Sequence, residues 1–349
     1  MDFLFNFSAT FTDPRDVITA AFEFNLSSFI EKGYGKHISV LRQEIRAFRE
    51  DEDYSGDEKQ KIVLKSLILL TYAKKFYEKI SKIETKLYHK PLLLTLVNSI
   101  NTEDADLKLF FREIERIGKG DIEEMVFRKS MDELWEELRE EPEFVFEDGE
   151  RIKIDENIFK GITLKDIWRY VYNSDSAGEI EISFRPSDRK QVAFKLTTSD
   201  THFALSKTGD IPGWLKEELE RFNVNHQFEE EGFFERINKD DSPINILMGS
   251  RAFYEGWDSN RPNIINFVNI GTGTDAKKFI LQSIGRGIRI EPIANKRRRL
   301  VELYNNKEID DDLFGKIKDF CLPLETLFVF GTNRNALLTV IKELKQEKK

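Results

Sequence analysis

Cysteine is nearly absent: Cys321 stands alone in 349 residues. That excludes an internal disulfide framework and suits a reducing compartment, so a cytoplasmic location is expected. Histidine is scarce too. The four residues His37, His89, His202 and His226 are scattered, nothing has zinc-ligand spacing, and no metal ligand is expected. No apolar run reaches the ~18–20 residues that a membrane span requires. The greasiest stretches, around Leu67–Leu70 and Leu92–Val97, are short, so no membrane partner is expected. Phe3–Phe7 is apolar but has neither a basic leader nor a cleavage site, and does not read as a signal peptide.

What is present is a globular composition, 40% hydrophobic and 34% charged, in a length suited to about two domains. The net charge of −9 argues against a nucleic-acid partner until its distribution is examined. Glu103–Glu156 holds 20 acidic against 9 basic residues, a local net of −11, which leaves +2 for the rest. Lys277–Arg299 holds eight bases and one acid. The acidity belongs to one segment and a basic end lies elsewhere.

Phe3–Phe7 reads as a short strand running into Ser8-Ala9-Thr10. Apolar residues recur at helical period through Lys59–Lys86, Pro91 follows, and Leu92–Val97 is a continuous apolar run of strand length. Asp104–Ile117 is an amphipathic helix, expected to close at Gly118. An acidic helical stretch (Asp121–Glu140) and a short helix near Leu164–Tyr172 follow. Glu179–Phe184 and Gln191–Leu196 alternate as a hairpin does. This stretch reads as an inserted module.

Strand and helix then alternate. Strands are expected at Phe203–Leu205, Ile244–Met248, Asn263–Asn269 and Thr326–Phe330. Helices are expected at Gly213–Phe222, Gln227–Asn238, Asp275–Ile290 and Asn335–Leu344. Such alternation implies an α/β fold with a mostly parallel sheet covered by helices.

The most informative segment is Gln282-Ser283-Ile284-Gly285-Arg286-Gly287-Ile288-Arg289. On a helix, Gln282, Arg286 and Arg289 fall within about 60° of one another. Ile280, Ile284 and Ile288 form a stripe on the other side, available for packing on a sheet. Gly285 and Gly287 let another surface approach closely. Arginines held on a rigid element can neutralise charge on a γ-phosphate bound by a neighbouring domain. The alternative is a solvated basic face. Lys296-Arg297-Arg298-Arg299, just downstream, could grip DNA phosphates or face solvent.

Context sharpens the reading. Ile244–Met248 runs into Gly249-Ser250-Arg251-Ala252-Phe253-Tyr254-Glu255-Gly256-Trp257-Asp258, which resembles the fifth motif of superfamily 2 helicases. Ser8-Ala9-Thr10 resembles the third motif, and Leu92–Asn98 sits where the fourth belongs. Together with Ile284-Gly285-Arg286-Gly287-Ile288-Arg289, Ser250–Asp258 resembles the restriction (Res) subunit of type III restriction-modification enzymes. The resemblance covers residues 1–12 and roughly 91–118 and 191–290.

It implies two RecA-like motor domains, a DNA-stimulated ATPase using ATP and Mg²⁺, a nuclease and a methyltransferase (Mod) partner subunit. By it, Gln282, Arg286 and Arg289 would face ATP. Gly256 and Asp258 would couple nucleotide to double-stranded DNA, and Ser8 and Thr10 would link hydrolysis to domain movement. Arg251 and the loop after Leu92–Val97, at Ser99, would touch the nucleic-acid backbone beside Lys296, Arg297, Arg298 and Arg299.

Two parts of that machinery are not in the sequence. No Gly-x-x-x-x-Gly-Lys-Ser/Thr phosphate loop occurs, and no Asp-Glu pair ends an apolar strand upstream of Ser8. Asp57-Glu58 and Asp132-Glu133 read as helix-start or surface acids. No proline is followed by aspartate, as the family's nuclease would need. The chain is therefore expected to be the C-terminal half of a motor, inactive alone. Its expected organisation is a first-domain remnant (1–12), a helical lead-in (13–90), a second RecA-like domain (91–118 and 191–290), an acidic insertion (119–190) and a basic C-terminal part (291–349). The rival readings are another superfamily 2 DNA or RNA helicase and a non-catalytic nucleic-acid-binding or scaffold subunit.

Overall fold

The computed structural model describes residues 26–44, 56–97, 106–139, 143–145, 154–184, 191–207, 223–225, 236–239, 241–250, 258–268, 270, 273–331 and 337–340. The first elements along the chain are α1 (Leu26–Glu31), β1 (His37–Glu44), α2 (Gly56–Ile83), β2 (Leu92–Val97), α3 (Asp106–Lys119), α4 (Glu124–Arg139) and β3 (Glu143–Val145). There follow α5 (Glu156–Lys160), α6 (Leu164–Val171), β4 (Ile180–Phe184), β5 (Gln191–Leu196), β6 (Ala204–Lys207), β7 (Asn223–Asn225) and β8 (Ile246–Ser250). The last are β9 (Pro262–Val268), α7 (Thr274–Gly287), α8 (Leu300–Asn305), α9 (Asp311–Ile317) and β10 (Thr326–Gly331). Residues 337–340 are helical.

The strands form one ten-stranded sheet in the order β3-β1-β10-β9-β2-β8-β6-β5-β4-β7. From β1 to β6 every neighbouring pair is parallel. Antiparallel pairs occur only towards the ends of the order: β3 on β1, and the β4–β5–β6 meander. The expected α/β class with a mostly parallel sheet is what the chain adopts.

Strands buried on both faces read as unbroken apolar runs. In β2, Leu93 and Val97 join the core under α2 and α3, whereas Leu92, Leu94 and Leu96 join the core under α7. The same division separates Ile264 and Val268 from Ile265 and Phe267 in β9. At 28 residues α2 is about 42 Å long, roughly twice the span of β2, so it overhangs the sheet. Ala73 and Ile80 on the overhang are covered by Leu300 of α8 and by Ile317, Cys321 and Leu324.

Three sequence expectations differ from the fold. The lead-in is not purely helical: β1 pairs parallel with β10, a partner almost 300 positions away that no local pattern reveals. The acidic stretch is not a separate module. Leu134 and Leu138 of α4 share a core with α2, and β4 and β5 extend the main sheet through β6, so residue 190 falls inside a hairpin. Finally, α3 ends at Gly120 (φ +80°), not Gly118. Gly118 is still helical and lies against Tyr172 and Leu196, where an added Cβ would come within 3.1 Å of both.

Asp57 and Glu58 fall in the first turn of α2. Glu133 on α4 takes the ammonium groups of Lys61 and Lys65 from α2 at 2.8 and 2.5 Å, the role of a surface acid. The strands expected at Phe3–Phe7 and the helices expected at Gly213–Phe222 and over most of Gln227–Asn238 lie outside the described residues. No described helix is long and apolar enough to cross a membrane.

Candidate functional site

The amino ends of the parallel strands carry a layer of buried polar groups, each just before a strand. Lys36 precedes β1, Lys90 and Pro91 precede β2, Asn245 precedes β8, Arg261 precedes β9 and Glu325 precedes β10. Lys74 reaches this layer from α2 and donates to the Tyr170 carbonyl at 2.7 Å and to Asn245 Oδ1. Burial lowers its pKa well below the usual lysine value, with Lys90 and Arg261 adding repulsion. Lys90 falls to about 8, chiefly by burial and then by Arg261.

Arg261 is 1% exposed and ties three loops together. Its guanidinium donates to the carbonyls of Lys90 (2.9 Å), Ile244 (2.6 Å) and Ile237.

The α7 helix runs back across the sheet and delivers its C-terminus to this same edge. Ile280, Ile284 and Ile288 are buried against the strands, as the stripe in the sequence requires. Gly287 permits that approach, since a Cβ there would lie 2.8 Å from Ile265 Cδ1 and 2.9 Å from Leu327 Cδ2. Gly285 faces open space instead, with nothing within 4 Å of such a Cβ. Gln282 is exposed and Arg286 partly exposed.

The helix stops one turn earlier than expected. Ile288 is the C-cap, so Arg289 belongs to the segment beyond it, which pairs with Gly35 in an antiparallel bridge. Cations at a helix C-terminus also complement its partial negative charge.

Arg289 forms an ion pair with Asp258. The segments singled out as the fifth and sixth motif-like elements are thus in contact. They open onto a cleft of about 740 Å³ that Lys296, Arg297 and Arg298 also line, with Tyr34 and Phe29 as its aromatic side.

The basic run does not present one face. Lys296 donates to the Glu308 carbonyl. Arg297 is 75% exposed and lies 3.9 Å from Glu291. The Arg298 guanidinium stacks over the Tyr34 ring, 4.3 Å from its centroid, and donates to its hydroxyl. Arg299 turns inward as the N-cap of α8, with its Nη1 donating to His37 Nδ1 at 2.8 Å and its backbone N–H to Gly33 O. Gly33 adopts φ +74° and has the Glu302 side chain packed where a Cβ would stand.

Sequence reasoning passed over Glu291, Tyr34, Lys36 and Arg261. Glu291 accepts from Asn260 Nδ2 (2.9 Å), His89 Nε2 (3.2 Å) and the Asn295 N–H (2.8 Å). Burial raises its pKa, but the Asn295 and His89 hydrogen bonds outweigh that and leave it below the usual carboxylate range. Its signal was available, as the single acid among eight bases in Lys277–Arg299. Nothing in the sequence marks Arg261.

Ser8, Thr10, Ser99, Arg251 and Gly256 lie outside the described residues. Among the described residues no group of three or more His, Cys, Asp or Glu side chains is arranged to hold a metal ion. Compared with known proteins, the chain matches no family model, no curated protein and no solved structure.

Proposed function

We propose that this chain is the second, RecA-like half of an ATP-dependent DNA motor of superfamily 2, of the type III restriction kind. The observation that carries the reading is the Arg289–Asp258 pair at the mouth of a basic cleft. Two motif-like segments from different parts of the chain meet there.

The position of the cleft supports a finger wall rather than a phosphate cradle. Cradles form at the carboxyl ends of strands, where helix N-termini point backbone N–H groups at the anion. This cleft lies at the amino ends, beside the C-terminus of α7. The one helix N-terminus in its wall, that of α8, is capped by Glu325, which accepts from Leu300 N–H at 2.7 Å. Cations therefore reach the cleft as side chains. Such a wall complements a nucleotide held by a phosphate loop on another domain, and this sequence has no such loop.

Bound ATP and Mg²⁺ would supply the transferable phosphoryl group and its charge-neutralising metal. This chain would add Arg286 and Arg289 against the γ-phosphate, with Gln282 on the same helix. The Asp258 side chain is 74% exposed and that of Arg289 40%, so their pair is worth about 1 kcal/mol or less and can part when a phosphate competes. The type III assignment, with its methyltransferase partner, is supported by Ser250–Asp258 and Ile284–Arg289 as sequence. Gly256, Ser8, Thr10, Arg251 and Ser99 keep their coupling and DNA-contacting roles within this proposal.

Double-stranded DNA is assigned to Lys296, Arg297 and Arg298, without the buried Arg299. Replacing those three by alanine should flatten the slope of log affinity against log salt by about 2–3 units, at roughly 0.9 per phosphate. Arg299→Ala should leave the slope intact and lower stability. An unchanged slope in the triple variant would remove DNA from the reading.

A further inference from the structure

Lys36 touches both halves of the candidate site from below. Its backbone N–H donates to Ile288 O at 2.7 Å, which fixes the chain where α7 gives way to Arg289. Its neighbour Gly35 pairs with Arg289 itself. Its ammonium group, on a side chain only 2% exposed, donates to Asn260 O at 3.0 Å and to Pro262 O. Those carbonyls belong to the segment that carries Asp258 into β9.

We propose that Lys36 is a positioning residue that sets the spacing of the Asp258 segment against the Arg289 segment, and so holds the cleft ready for a polyphosphate. The inference rests on the reading of Arg289 given above.

The charge on Lys36 is not there for stability. Burial lowers its pKa from 10.5 to about 7, opposed by the attraction of Glu325. An unfolded chain keeps this proton up to about pH 10.5, so between about 7 and 10.5 the folded chain binds one proton fewer. The group's contribution to stability therefore rises with pH across that window and is flat, at its least favourable, below it. A cation that costs folding energy is nonetheless held on two carbonyls of the site. The other ionisable groups around it are Tyr88, His89 and Glu291, which line the small cavity beside it, and Glu325, which has His37 and Arg299 on its far side.

The test is equilibrium titration of the 349-residue chain with inorganic tripolyphosphate from pH 6 to 9. Wild type is compared with Lys36→Met, Lys36→Arg and Arg289→Ala, and each protein's thermal stability is recorded. Wild-type affinity should fall by about tenfold as pH rises through 7, the loss of one charge-assisted hydrogen-bonding group. Lys36→Met should bind weakly at every pH while melting no lower than wild type. Lys36→Arg, charged throughout, should bind well without that step, and the difference between wild type and this variant cancels the probe's own protonation. If Lys36→Met folds poorly, the wild-type and Lys36→Arg profiles still decide the matter. Parallel profiles in wild type, Lys36→Met and Lys36→Arg, with binding lost in Arg289→Ala, would overturn the role of Lys36 alone. Unchanged binding in Arg289→Ala would overturn the arginine reading and Lys36's role with it.

Discussion

An Arg289→Ala variant, assembled with a phosphate-loop domain, is expected to turn over ATP about 10³–10⁵-fold more slowly while binding it almost as well. The split follows from where an arginine finger acts. Charge grows on the transferring phosphoryl group in the transition state, and a preplaced guanidinium neutralises it there more than in the ground state. Arg289 meets the geometric requirement, being partly exposed, backbone-anchored by Gly35 and paired only with an exposed carboxylate among its printed ion pairs. Arg286, on the last turn of α7, should show the same direction of effect when replaced by alanine. The measurement is single-turnover phosphate release beside nucleotide affinity. Equal rates for wild type and both variants would return this segment to a solvated basic face.

Arg261→Met should lower folding stability by about 3–5 kcal/mol, the largest loss expected from any single change at this edge. Methionine fills nearly the same space, so the loss comes from hydrogen bonding and not from a cavity. Three buried carbonyls, of Lys90, Ile237 and Ile244, would each lose a charged donor. Each orphaned carbonyl costs roughly 1–3 kcal/mol, offset in part by relief of the repulsion on Lys74 and Lys90. Urea unfolding reads the difference directly, and a loss under about 1 kcal/mol would mean that the loops close by other contacts.

Much of this architecture was legible in the sequence, for reasons that differ by element. Leu92–Val97 could be read because a strand buried on both faces is apolar at every position. The α7 stripe could be read because Ile280, Ile284 and Ile288 keep one face on the sheet. By contrast, β1 acquires its meaning only from β10 at the other end of the chain, and a local pattern cannot supply that partner. Lys296–Arg299 shows the limit for a site. Contiguous charges look like one patch, yet an N-cap and a turn send Arg299 to His37 and Arg298 onto Tyr34. The ion pair between Arg289 and Asp258 lay between the two: motif order placed both residues, and only the fold brought them into contact.

The central claim is that this chain supplies one wall of an ATP cleft and cannot hydrolyse ATP by itself. The direct test is phosphate release by the 349-residue chain, with and without double-stranded DNA, before and after a phosphate-loop motor domain is supplied, fused or in trans. Arginines alone attract phosphate but cannot place a water in line with the scissile bond. The account predicts no turnover from the chain alone and DNA-stimulated turnover once the other domain is present. Robust ATP hydrolysis by the isolated chain would contradict it.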